Sequence, residues 1–234
     1  MGTNHCWNRC GGKSLPTRES FVHPTAIVEE GAEIGEGTRI WHHVHVRQGA
    51  RLGKNCALGK GVYIDKGVRI GDNVKIQNYV SVYQGVTIED NVFIGPHTTF
   101  TNDPSPRIER FGKWTAAKTV VRKGASIGAG SVILCDLTLG RYCFVGAGSI
   151  VQKHVPDHAL VYGNPARIHG HVCFCGQILG ALQEKGDSLA ATCKKCGKKV
   201  TIKREAQDRI LARGQLNPIC NSNLLRLLQP LRSS

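Results

Sequence analysis

The chain has 234 residues, 41% of them hydrophobic and 21% charged, with a formal net charge of +14. This is ordinary for a soluble protein with room for a sizeable core. Residues 1–20 hold no continuous apolar stretch and no run of 18 apolar residues occurs anywhere, so neither a signal peptide nor a membrane span is expected, and a cytoplasmic protein is. The charge is densest at the end: residues 171–234 hold eleven Lys and Arg against four Asp and Glu. Such a surface favours anionic partners such as phosphates, nucleotides or nucleic acid.

In chain order, residues 1–20 form a polar leader without periodicity, in which Cys6 and Cys10 read as free thiols. A six-residue rhythm then begins. Val28, Ile34, Ile40, Val46, Leu52, Leu58, Ile64, Ile70, Ile76, Val82, Ile88 and Ile94 are aliphatic at every sixth position. The rhythm resumes at Val121, Ile127, Ile133, Leu139, Val145 and Val151. The fourth residue after each is small or β-branched, as at Cys56, Val62, Val68 and Val74. A period of six fits neither a helix nor a long flat strand, so each hexapeptide predicts one short strand and a corner, stacked on its neighbours. Cys56 and Cys143 fall at inward positions, which suits a reducing compartment.

From Phe100 to Val121 is 21 residues, which is no multiple of six. The chain therefore leaves the stack in a loop over 101–119, carrying Asn102, Asp103, Arg107, Arg110 and Trp114. A long loop on a rigid scaffold is usually functional. With Val121 resuming on the face after Phe100, and with three hexapeptides to a coil as the family resemblance given next implies, Ile76, Ile94, Ile127 and Val145 share a column. Asn78, Pro96, Ala129 and Ala147 then form one corner file, and Tyr79, His97, Gly130 and Gly148 the next. The small residues above allow a long thin ligand close to the backbone, and His97 stands beneath them. His42, His43 and His45 lie lower and read as a surface or interface cluster.

The hexapeptide pattern resembles that of the hexapeptide-repeat acyltransferases. It implies an all-β, left-handed parallel β-helix, with three hexapeptides per coil and six coils in a prism about 30 Å tall at the spacing of paired strands. The fold also occurs in γ-class carbonic anhydrases, whose zinc-binding histidines this arrangement does not reproduce. The segment VGAGSIVQKHVPDHALVYGNPARIHG, residues 145–170, resembles the closing segment of acetyl-CoA-dependent members. That likeness implies that Ala129, Gly130, Ala147 and Gly148 line the pantetheine arm and that Lys153 and Arg167 meet the CoA phosphates. Residues 74–107, with Gln77-Asn78 and Phe100-Thr101-Asn102, resemble nucleotide-sugar acetyltransferases that act on the 3-amino group of UDP- or dTDP-linked sugars. The likeness implies a sugar site built from Gln77, Asn78, Tyr79, Thr101, Asn102 and Arg107. It also implies a homotrimer, because the family places its cofactor between adjacent prisms.

The reaction expected is direct attack of the sugar amine on the thioester. Asn78 orients the sugar, His97 accepts or relays the proton, and a backbone amide stabilises the oxyanion. The family often lacks a histidine at the position of His97. An O-acetyltransferase acting on a small hydroxyl acceptor would make that residue indispensable.

Cys173-x-Cys175 and Cys193-x-x-Cys196, separated by 17 residues and each followed by glycine, read as a four-thiolate structural zinc site on a zinc-ribbon-like module over 172–204. Lys194, Lys195, Lys198 and Lys199 around the second pair leave open a third reading, a β-helix scaffold whose basic ribbon binds nucleic acid. Nucleic acid is the less expected partner. The remaining stretch, 205–234, reads as a weakly structured tail, with a short helix conceivable near Leu224 and Leu225.

Overall fold

The computed structural model describes residues 19–109 and 113–203. The readings made for Cys6, Cys10, Arg110, most of the leader and the 205–234 tail lie outside the described residues. Strands of two or three residues recur with the predicted beat and stack into three parallel sheets. Face A runs from Phe21–Val22 through Arg39–Ile40, Ala57–Leu58, Lys75–Ile76, Phe93–Ile94, Ser126–Ile127 and Phe144–Val145 to Ala159–Gly163. Face B contains Ser81–Val82 and Thr99–Phe100, and face C contains Val86–Ile88 and Thr119–Val121. Described residues form no helix; the fold is a three-sided parallel β-solenoid that fits a left-handed β-helix. It is taller than the six coils expected, because the strands at Phe21 and Ala159 extend face A to eight parallel levels. An antiparallel strand, Ala166–His171, closes the last level.

The core is the inward file of aliphatics. Ile40, Leu58, Ile76, Ile94, Ile127 and Val145 are fully buried, one above the next. Phe100, the largest buried side chain, fills the level where the loop departs. Burial pushes the Cys56 and Cys143 thiols up, so both behave as core residues.

Each corner must turn the chain within a few residues, and one residue per hexapeptide adopts positive φ to do so. The series Gly31, Gly37, His43, Gly49, Asn55, Gly61, Gly67, Asn73, Tyr79, Gly85, Asn91 and His97 keeps a spacing of six without a break. Glycine and asparagine are the residues that tolerate this region. The bulky exceptions fall on two corner files. His43, Tyr79 and His97 lie between faces A and B, while Tyr142 and His158 lie between faces C and A.

Beyond His171 the chain forms a three-stranded antiparallel sheet, Gln183–Lys185, Ser188–Thr192 and Lys199–Lys203. It has its own small core of Leu179, Val200 and Ile202 packed with Cys173 and Cys193. The module is docked through Phe174, whose ring meets His158 edge-on at 4.7 Å and Tyr142 at 4.8 Å. Buried His158 also meets the carbonyl of Val172 through Nδ1, and its backbone carbonyl accepts the Val172 N–H.

Candidate functional site

The register brings the predicted corner files together. Ile76 pairs with Ile94, Ile94 with Ile127, and Ile127 with Val145. At the A–B corner the carbonyl of Asn78 accepts the His97 N–H at 3.0 Å, Pro96 accepts that of Gly130 at 2.8 Å, and Ala129 that of Gly148 at 2.8 Å. Reading upward, the corner therefore presents His42, Lys60, Asn78, Pro96, Ala129 and Ala147 in one file. His43, Gly61, Tyr79, His97, Gly130 and Gly148 stand beside them.

His97 is exposed, and its ring stacks on that of Tyr79 at 5.4 Å with a 20° interplanar angle. The Lys60 ammonium lies 5.9 Å from the centre of the Tyr79 ring. The three side chains thus form a short ladder ending in the imidazole, and two of them sit on backbone that glycine would occupy at less cost.

Asn78 has a structural task as well. Its Oδ1 accepts the backbone N–H of Lys60 at 2.9 Å. Asp72 caps Lys54 in the same way at 2.7 Å, and Asp157 caps Arg141. A carboxylate or carboxamide from a neighbouring coil is thus a recurrent partner for that amide, from above at these positions and from below at Gln48, Gln84 and Lys123. The carboxamide nitrogen of Asn78 is the end left to meet a ligand.

The same rule explains the alanines. The amides of Ala129 and Ala147 occupy the position of the Lys60 amide, but the residues stacked over them are Ala147 and Gly163, which carry no side-chain acceptor. Among the described residues neither amide donates to a side chain. Two outward N–H groups on a stripe without bulk can bind a chain of amide carbonyls. The amides of Gly130 and Gly148, in contrast, are occupied by coil-to-coil bonds, so those glycines contribute only clearance. A Cβ added at Gly95 would lie 2.5 Å from the Ala129 nitrogen, and one at Gly128 would collide with the Ala147 backbone. The stripe therefore needs glycine behind it.

Other predicted residues stand elsewhere. Thr101, Asn102 and Lys153 belong to the B–C corner, across face B from His97 and about 13 Å away along extended chain. The Thr101 hydroxyl accepts the Cys135 N–H at 2.9 Å, and the Asn102 carbonyl accepts that of Ala117 at 2.9 Å, which closes the neck of the loop. Asp103 holds the loop by accepting from the Ser105 backbone and from Trp114 Nε1. Arg107 is exposed, and its guanidinium donates to the carbonyl of Pro106. Arg167 is exposed opposite Tyr162, at the top of the A–B corner. Within one chain, then, Gln77, Asn78, Tyr79, His97, Ala129, Ala147 and Arg167 share a corner, and Thr101, Asn102, Arg107 and Lys153 do not.

The three low histidines also separate. His42 stacks on His23 at 3.5 Å and His43 follows it at the A–B corner. His45 is on face B, with its Nε2 2.8 Å from Glu29. Hydrogen bonds from the Gln48 backbone, His45 and Arg47 hold the Glu29 carboxyl below its ordinary range. The residues that sequence reasoning missed are Trp41, Lys60 and Lys75, which line a cavity of about 320 Å³ with Gln77 and Asn78. Their available signal was position, since Lys75 belongs to the hexapeptide of Asn78 and Trp41 and Lys60 to those stacked beneath it.

The four sulfurs of Cys173, Cys175, Cys193 and Cys196 lie within 4.8 Å of one another. The Cys173–Cys196 and Cys175–Cys193 separations are 3.5 and 3.8 Å. Each pair sits on a tight turn in which the following glycine, Gly176 or Gly197, has positive φ and donates back to the carbonyl of Cys173 or Cys193. A larger concavity of about 830 Å³ lies on this module, lined in part by Ile178, Thr192, Lys194, Lys195 and Lys199.

The family model described as bacterial transferase hexapeptide (six repeats) matches residues 31–66, 49–84 and 67–102. A dTDP-3-amino-3,6-dideoxy-alpha-D-galactopyranose 3-N-acetyltransferase of Aneurinibacillus thermoaerophilus is 50% identical over 190 residues, covering 80% of this chain and 93% of that protein. A stretch of that length cannot fit within residues 1–171, so the likeness runs into the cysteine-bearing segment. Among solved structures, a hexapeptide-repeat acetyltransferase of Vibrio cholerae complexed with acetyl coenzyme A is 33% identical, covering 53% of this chain and 70% of its own, with a TM-score of 0.47. A GDP-perosamine N-acetyltransferase variant of Caulobacter crescentus, in complex with CoA and GDP-perosamine, is 23% identical with a TM-score of 0.44. That match covers 66% of this chain and 58% of the solved chain. The extent and identity of the Aneurinibacillus match settle the assignment: the chain is an acyltransferase and belongs to the hexapeptide-repeat N-acetyltransferase family of that relative.

Proposed function

We propose that the protein transfers the acetyl group of acetyl-CoA to the 3-amino group of a dTDP- or UDP-linked amino sugar. The observation that carries this reading is the half-identity, over nearly the whole relative, to an enzyme named for that transfer on a dTDP-linked sugar. The corner geometry supplies the chemistry. The pantetheine arm descends past Ala147 and Ala129, hydrogen-bonding their open amides, with Arg167 at the top meeting phosphate. The thioester arrives at the level of His97. The sugar approaches from below, oriented by Gln77, Asn78 and Tyr79.

A neutral amine attacks the thioester carbonyl directly, so positioning supplies much of the rate. The N–C bond forms, the C–S bond breaks, and CoA leaves as the thiolate. His97 takes the proton that the amine sheds, and a backbone amide of the corner stabilises the oxyanion. Thiol release from acetyl-CoA, assayed against a panel of UDP- and dTDP-amino sugars, is expected to show turnover with a 3-amino sugar. His97→Ala should lower kcat by roughly 100-fold. No turnover with any 3- or 4-amino sugar contradicts the substrate reading, and an unchanged kcat removes only the role of His97.

The uncapped amides give a sharper test. Ala147→Asp would supply the carboxylate that other corners already possess, capping the Ala129 amide as Asp72 caps that of Lys54. Thermal stability is expected to hold or rise, by up to about 1 kcal/mol, while the affinity for CoA measured by calorimetry falls at least about tenfold. Undiminished CoA affinity would show that the arm does not use this stripe.

The predicted residues that lie across face B join the site only if another copy supplies them. We therefore read the protein as a cytoplasmic homotrimer, with Thr101, Asn102, Arg107 and Lys153 of one copy facing His97 of the next. Exposed Tyr79, Tyr83 and Phe93 offer apolar surface for such contacts. Sedimentation should give three times the chain mass, and a monomer would break the shared site.

The cysteine cluster is read as a structural zinc site on a zinc-ribbon-like module over 172–204. Zinc–sulfur bonds of about 2.3 Å at tetrahedral angles place sulfurs about 3.8 Å apart, close to the separations present. Four thiolates leave no position for substrate, so the ion would fix the two turns and through Phe174 the docking on His158. Metal analysis should find one zinc per chain, with Cys193→Ser losing it and lowering Tm. Protein purified without chelator and free of zinc would overturn the assignment.

A further inference from the structure

The geometry points to the lower half of the A–B corner as the seat of the nucleoside diphosphate, with the base on Trp41 and the diphosphate between Lys60 and Lys75. This deepens the amino-sugar reading and rests on it for the identity of the ligand, though not for its charge and shape. The cavity there measures about 320 Å³, at the lower end of the range for ligand sites. Its floor is small, formed by Ala57 and Gly59, and its walls are Trp41, Lys60, Lys75 and Gln77.

Two features single it out. The first is charge: the lining holds two lysines and no carboxylate. Among the described residues neither lysine joins an ion pair, whereas on nearby coils Arg51 pairs with Glu33 and Lys54 with Glu36. Two unneutralised ammonium groups facing one hollow fit the phosphates of an anionic ligand. The second is the indole. Trp41 is 41% exposed, with the rings of Phe21 and His42 5.5 and 6.4 Å away between centres, so a steadied indole stands at the cavity mouth. Base stacking on an aromatic side chain contributes about 1–3 kcal/mol.

The direction of the site agrees. Trp41 lies two strand spacings, about 10 Å, below Gln77, and Gln77 and Asn78 line the same cavity. A ligand with its base at Trp41 and phosphates at the lysines would direct its sugar up to Asn78 and His97. The stripe of Ala129 and Ala147 lies above that point, so the two anionic substrates enter from opposite ends of one corner and meet at the histidine.

Calorimetric titration of the full chain with dTDP and with UDP, without CoA or amino sugar, tests this. Lys60→Gln, Lys75→Gln and Trp41→Ala should each weaken binding about tenfold, with unchanged Tm in the two lysine variants, whose side chains are exposed. Lys66→Gln, on the B–C corner, should bind as the wild type does, and inorganic pyrophosphate should bind at least tenfold more weakly than dTDP. Wild-type affinity in the folded Lys60, Lys75 and Trp41 variants, or no binding of either nucleotide to the wild type, overturns the site. Equal affinity for pyrophosphate removes the role of Trp41. Loss of binding in the variants upholds the site even if no amino sugar is turned over, in which case the reaction reading fails alone.

Discussion

The tight corner is the constraint from which the rest of this molecule follows. Turning a strand within so few residues forces one position in six into the left-handed region, and the next coil must then stack close enough for backbone bonds. Those demands fix Gly and Asn at most corners and exclude side chains behind them. Where the rule is broken by His43, Tyr79 and His97, backbone strain of about 1–2 kcal/mol per residue is accepted, and all three fall on one file. The second break, Tyr142 and His158, lies where the cysteine module docks. In both places a bulky corner residue marks a surface that does more than close the turn.

A corner that repeats also offers the same amide at every level. At Lys54, Lys60, Asp72 and Arg141 an Asp or Asn from the coil above satisfies it, and at Gln48, Gln84 and Lys123 a Glu or Asp from the coil below does. Among the described residues no side chain caps Ala129 or Ala147, so the stripe proposed to hold the acyl carrier results from omitting a cap. At and below Asn78 the corner changes character again, to an indole and two lysines that join no ion pair among the described residues, set around a hollow. Scaffold physics thus gives one straight edge three zones with different chemistry, arranged in the order that two long anionic substrates would need to bring their reactive ends together.

Much of this was legible before any coordinates. The hexapeptide beat gave the stacked short strands and the family resemblance implied three to a coil, and counting past the 21-residue break on that basis placed Ile94 over Ile76 and Ile127 over Ile94, as the register has it. The meeting of the four cysteines was legible from spacing, because two short pairs, each followed by a glycine, suit two tight turns that face each other. What the beat could not reveal was lateral. Thr101 follows Phe100, so the loop begins across face B from His97, and residues grouped by resemblance prove to lie on separate corners. Nor does periodicity report which backbone amides are capped, which requires knowing what stacks above each. His45 seemed to belong with His42 and His43 by adjacency, but strand alternation sends it to Glu29.

The central claim is that two substrates meet along one corner, the acyl carrier from above and the nucleotide sugar from below. A crystal structure of the protein with CoA and a dTDP-linked 3-amino sugar tests it most directly. The account predicts pantetheine along Ala147 and Ala129, its sulfur level with His97, and the sugar amine beside Asn78. Pantetheine lying along another corner, or a sugar whose amine is remote from His97, would contradict it.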